Sequence, residues 1–70
     1  MLAWRRSALN RPVIVNLKTE KAFSGTIVAK RGRLLVMKGT NLLEPGREPV
    51  KVDGEVVVSV ENVDFVQVRG

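Results

Sequence analysis

From Val13 onward the apolar residues recur with a period of two, and most of them are β-branched. In VIVNLKT, Val13, Val15 and Leu17 share one face while Ile14, Asn16 and Lys18 share the other. That period belongs to a strand, and branching at Cβ favours the same choice. The next run, AFSGTIVAK, sets Phe23, Gly25, Ile27 and Ala29 on one face. A glycine in mid-strand marks a bend or bulge where the strand curls. RLLVMK is a third strand with Leu35 and Met37 inward.

The connections are equally readable. KTEK turns the first strand into the second. KRGR turns the second into the third. GTNLLEPGREP reads as a loop, signalled by Gly39, Pro45-Gly46 and Pro49. In VKVDGEVVVSV, Asp53-Gly54 either makes a tight turn that pairs residues 50–52 with 55–60, or bulges one long bent strand. Val56, Val58 and Val60 share a face there. Glu61-Asn62 is a very short corner, and VDFVQV is the last strand.

Only the first ten residues look helical. Leu2 and Leu9 lie two turns apart, Ala3 and Ala8 are good helix formers, and Asn10 followed by Arg11-Pro12 ends the segment. The sequence therefore predicts a short helix over 2–9 and a barrel over 13–68, within one domain spanning 1–70. Five or six short strands, one curled at a glycine, point to a mainly β fold. We read it as a five-stranded, strongly bent antiparallel barrel.

The chain has 70 residues. A domain of this size buries only about 60% of its unfolded surface and needs support. Without cysteine it has neither a disulfide nor a thiolate metal site, and without histidine it lacks the commonest general base. Self-association is the expected support, with a well-packed monomer as the alternative. Val56-Val57-Val58 and Val66 are apolar on both strand faces, which implies a neighbour on each side. That neighbour is the N-terminal helix or a second copy. Unpaired edges at the end of the chain, joined head to tail, close into a ring.

Catalysis is not expected. Glu44, Glu48, Asp53, Glu55, Glu61 and Asp64 sit mostly in or beside turns, and Ser24 and Ser59 have no histidine to activate them. No catalytic residue, metal ligand or cofactor site emerges. No apolar run approaches the roughly 20 residues that cross a bilayer, and the first ten residues are no secretory signal, so the cytoplasm is the expected compartment. A net charge of +5 favours polyanions.

The order of elements resembles the Sm-like family, whose domains form rings that bind RNA. The likeness runs from Arg11 to Val68. VIVNLKTEKAFSGTIVAKRGRLLVM is similar to the family's first motif in apolar spacing and in Gly25, and VVVSVENVDFVQV is similar to the second, with Asn62 where the family often has Asn. The resemblance implies an SH3-like barrel of the Sm type in a homo-oligomeric ring, hexamer or heptamer. It also implies that the KRGR turn lines a central pore. Lys30, Arg31, Gly32 and Arg33 are then the candidate contacts to single-stranded RNA, through phosphates and, for Arg33, stacking on a base. The N-terminal segment lies on the same pore face in such rings, which adds Arg5 and Arg6. Trp4 either stacks on a base or anchors the helix to the barrel.

The chain departs from the family in the residues that read bases. Arg31, Leu34, Ser59 and Val60 stand where relatives carry Asp, Asn and Arg-Gly, and the Tyr-Lys-His run of the bacterial RNA chaperone is absent. Two readings follow: a ring that holds RNA by its basic turn, or a structural ring or adaptor, such as those in phage particles, that has lost RNA binding. A monomeric barrel that recognises a peptide is a third.

Overall fold

The computed structural model describes residues 8–69. Their hydrogen-bonded strands are β1 (Pro12–Leu17), β2 (Ala22–Arg31), β3 (Leu34–Leu43), β4 (Val50–Val52), β5 (Val56–Ser59) and β6 (Val63–Val68), with a 3-10 turn at Val60–Asn62 before β6. Six strands replace the expected five. The added strand arises because the region after the long loop is broken in the middle. All pairs are antiparallel, in the order β4-β3-β2-β1-β6, and β5 also pairs with β3.

Both β4 and β5 lie along β3: Val50 to Val52 face Leu42 to Thr40, and Val56 to Ser59 face Met37 to Leu34. They are two halves of one bent strand interrupted at Asp53-Gly54-Glu55, not the two arms of a hairpin. The long-bent-strand alternative is the correct one. The expected loop at 39–49 is also shorter than expected, since Gly39 to Leu43 belong to β3.

Two bulges bend the β2–β3 ladder. Thr26 pairs with Lys38 and Ser24 with Asn41, so Gly39 and Thr40 together oppose Gly25. Ile27 pairs with Met37 and Ala29 with Val36, leaving Val28 as an extra residue on β2. Each bulge sharpens the local bend and shifts side chains to the other face. Gly25 sits at the tightest point. A Cβ there would lie 3.0 Å from the Lys38 carbonyl oxygen, 3.1 Å from that of Gly39 and 3.2 Å from Thr40 Cα. These are backbone atoms that cannot turn aside, so the curl predicted at this glycine has a steric cause.

The bend folds the sheet around Ala8, Val13, Val15, Ile27, Leu35, Met37 and Val58, with Leu17, Phe23, Val56, Val60, Val63 and Val66 packed against them. The expected inward sets of β1, β3 and β5 are all in this cluster. Ala29 is the exception. The Val28 bulge puts it beside Val36 on the outer face, away from Leu35 and Met37.

Residues 2–7 of the expected helix lie outside the described residues. Of the remaining two, Ala8 is helical and fully buried, whereas Leu9 already bridges to Ile27. Asn10, at φ +62, donates its N–H to the Ile27 carbonyl at 2.8 Å. No helix appears among the described elements beyond the 3-10 turn, because backbone bonding to β2 has taken over by Leu9.

Candidate nucleic-acid interface

The basic turn closes the β2–β3 hairpin. Arg31 pairs with Leu34, leaving Gly32 and Arg33 as a two-residue loop. Gly32 has φ +58, whereas Arg33 has no positive φ. Positive φ at the first central residue alone is what a type II′ turn requires, and that turn matches the twist of the flanking strands. Glycine is therefore favoured at position 32, and the cations on either side of it are carried at the hairpin tip.

The structure gives the three cations different roles. Lys30 is half-buried, and its Nζ donates to the Gly32 carbonyl at 2.5 Å, bracing the turn. The Arg33 guanidinium lies 3.7 Å from the Glu61 carboxylate, with side chains 76% and 67% exposed. At that exposure the pair is weak, on the order of 0.2–1 kcal/mol. Arg31 is exposed and has no ion pair among the described residues. Arg5, Arg6 and Trp4 lie outside the described residues.

The turn does not stand alone. The Val60 N–H donates to the Arg33 carbonyl at 2.8 Å, so the tip of the hairpin rests on the 3-10 corner before β6. Two segments far apart in sequence thus form one surface: three cations from the hairpin, and Glu61 and Asn62 from the corner. Ser59 and Val60 lie at the same junction.

Sequence reasoning missed two features. One is Glu61, whose contact with Arg33 has no local signal. The other is an open groove of about 440 Å3 on the outer face, lined by Val28, Ala29, Leu34, Val36 and Val57 and flanked by Arg31. Val57 pairs with Val36 and Val36 with Ala29, so three small apolar residues cross three strands in one row. The apolar run at 56–58 was the available signal, since it left both faces of β5 apolar.

Among the described residues no group of three or more acidic side chains could hold a metal ion, and no helix is long and apolar enough to cross a membrane.

No family model and no curated protein matches the chain in sequence. Solved structures do match. A Pyrococcus abyssii Sm protein in complex with a uridine heptamer is 25% identical, with a TM-score of 0.78 over 91% of this chain and 90% of that one. The P. aerophilum SmAP1 heptamer is 19% identical, with a TM-score of 0.81 over 100% and 96%. A chain of the NatC complex bound to CoA is 18% identical, with a TM-score of 0.77 over 93% and 83%. The bent antiparallel sheet is thus an Sm-like fold.

Proposed function

We propose that this chain is a divergent member of the Sm-like family that assembles head to tail into a ring, hexamer or heptamer, and holds single-stranded RNA without catalysis. The contacts are Lys30, Arg31, Gly32 and Arg33, with Arg5 and Arg6 as further cationic contacts. The observation that carries this reading is the docking of the cationic hairpin on the 3-10 corner through the Val60–Arg33 hydrogen bond. It presents the basic tip at one fixed place on a fold shared with an Sm protein solved with a uridine heptamer.

Two strand edges support the assembly. Among the described residues β5 pairs only with β3 and β6 only with β1, so each has an unpaired side. Val57 on β5 and Phe65 on β6 are each 55% exposed. Large apolar side chains on open edges invite another chain. Because the two edges differ, the contact is heterologous and closes by rotation. Closure crowds the cationic tips together, and their summed field draws in a polyanion that one tip would hold poorly. The cytoplasm is where we place this activity.

Native mass spectrometry of the purified protein with an added oligouridine tests copy number and binding together. The expected result is a closed oligomer carrying RNA, whose binding weakens steeply with salt, by about 0.7 log units of affinity per log unit of salt for each phosphate contact. Arg31→Glu with Arg33→Glu should abolish binding and leave the oligomer intact. A solitary protomer in dilute physiological buffer would overturn the ring.

The structural-ring reading also has an observation behind it. Of the three hairpin cations, one braces its own turn and one faces a carboxylate, and Ser59 and Val60 offer no guanidinium at the corner. It predicts an intact ring that carries no nucleic acid and ignores oligouridine.

A further inference from the structure

We infer that Glu61 is a resident anion that a phosphate must displace from Arg33, and so sets how tightly this surface binds a polyanionic strand. This deepens the RNA-binding reading and rests on it. Three observations carry it. The Glu61 carboxylate stands 3.7 Å from the Arg33 guanidinium, where a ligand phosphate would make its own contact. The contact is held in register by the adjacent backbone bond from the Val60 N–H to the Arg33 carbonyl. Among the described residues Glu61 is also the one carboxylate paired to the hairpin tip: Glu44 pairs with Lys21 and Glu55 with Lys38.

A tethered carboxylate competes at a high effective concentration, of the order of millimolar. A lone phosphate in dilute solution loses that competition. A strand that presents successive phosphates to several protomers wins it, because each displaced Glu61 leaves another guanidinium free for the same strand. Glu61 therefore biases the surface toward polymers and against single phosphate groups. It also leaves Arg31 as the first contact and Arg33 as the conditional one. Phosphate can replace the carboxylate because a guanidinium donates to oxygens of either anion.

The test measures the affinity of a fluorescein-labelled oligouridine by anisotropy for the parent protein, Glu61→Gln, Arg33→Gln and the double variant, at two salt concentrations. Glu48→Gln is the control for net charge, since Glu48 is exposed in the loop at the far end of the β2–β3 ladder. Glu61→Gln should bind roughly two- to fivefold tighter than the parent, the range expected for an exposed ion pair. Its salt slope should steepen by about 0.7 for each newly available phosphate contact. In the Arg33→Gln background the same change should do nothing, because the competitor then has no cation to occupy. Glu48→Gln should bind like the parent. Binding by Glu61→Gln but not by the parent would be the strongest form of support. Equal gains from Glu61→Gln and Glu48→Gln, or a gain that survives in the Arg33→Gln background, would overturn the inference and leave the RNA-binding reading standing. Silence from every protein at the lower salt would remove both.

Discussion

Val60 donates its backbone N–H to the carbonyl of Arg33 at 2.8 Å, and through this bond the basic hairpin tip and the corner before β6 become one surface. Proline at position 60 removes this donor. Ser59, with φ −72 and ψ 131, already has the extended backbone that a residue before proline needs, and the first residue of a helical turn tolerates proline. Val60→Pro should therefore keep the corner and lose the donor. It should cost at least about 1 kcal/mol, since Val60 also packs against the core cluster, and the amides of Arg33 and Leu34 should exchange faster by NMR while those of Val13 and Val15 do not. Unchanged exchange at the tip would mean that the hairpin holds its position without the corner.

Gly25 is the steric condition for the bend. With Lys38, Gly39 and Thr40 backbone atoms 3.0 to 3.2 Å from the site of a Cβ, alanine cannot enter without moving β3. Gly25→Ala should destabilise the fold by about 2–4 kcal/mol, the sum of overpacking and backbone strain. At roughly 4–8 °C per kcal/mol for a domain of this size, the melting midpoint followed by circular dichroism should fall by about 8 °C or more. A fall of only a degree or two would show that β3 gives way easily here.

The sequence showed the curl at Gly25 because a strand-breaking residue sat inside an otherwise clean alternation. It hid the neighbouring bulge because Gly39, followed by Thr40 and Asn41, carries the same chemistry as a loop, and only pairing with β2 reveals that the strand continues. Ala29 was assigned inward for a related reason: a period of two is legible, but one extra residue at Val28 reverses it and leaves no mark in composition. Asp53-Gly54 offered two structures of similar local cost, and the shared partner β3 decided between them. The basic residues of the β2–β3 hairpin were legible as a charge cluster at a turn. The Arg33–Glu61 contact was not, since β3, β4 and β5 lie between the two residues in sequence and the contact exists only once the hairpin has folded onto the corner.

Thr40 is fully buried, and its hydroxyl has no hydrogen-bond partner among the described residues. A buried hydroxyl left unpaired costs about 1–3 kcal/mol. Valine has nearly the same shape and no such group. Thr40→Val should therefore stabilise the protein by about 1 kcal/mol, seen as a higher urea midpoint with an unchanged slope. Destabilisation instead would mean that the hydroxyl finds its partner in a neighbouring copy or in residues 1–7.

Phe65 is the sharpest test of assembly, because its side chain does little for the protomer alone. It is 55% exposed on the outer face of β6, opposite Asn16 and away from the core cluster. Surface substitutions of this kind usually change protomer stability by no more than about 0.5 kcal/mol. In a head-to-tail ring the same side chain is covered at every joint. Covering the exposed half of this phenylalanine is worth about 1–1.5 kcal/mol, or roughly five- to tenfold in the association constant per joint. A lysine there loses that gain and puts a charge in the seam. Phe65→Lys should therefore break the oligomer at micromolar concentration by light scattering, with a far-ultraviolet spectrum like the parent's. Oligouridine affinity should fall with it, since the cationic tips are no longer gathered around one opening. If the variant keeps both its mass and its affinity, the β6 edge is not the joint.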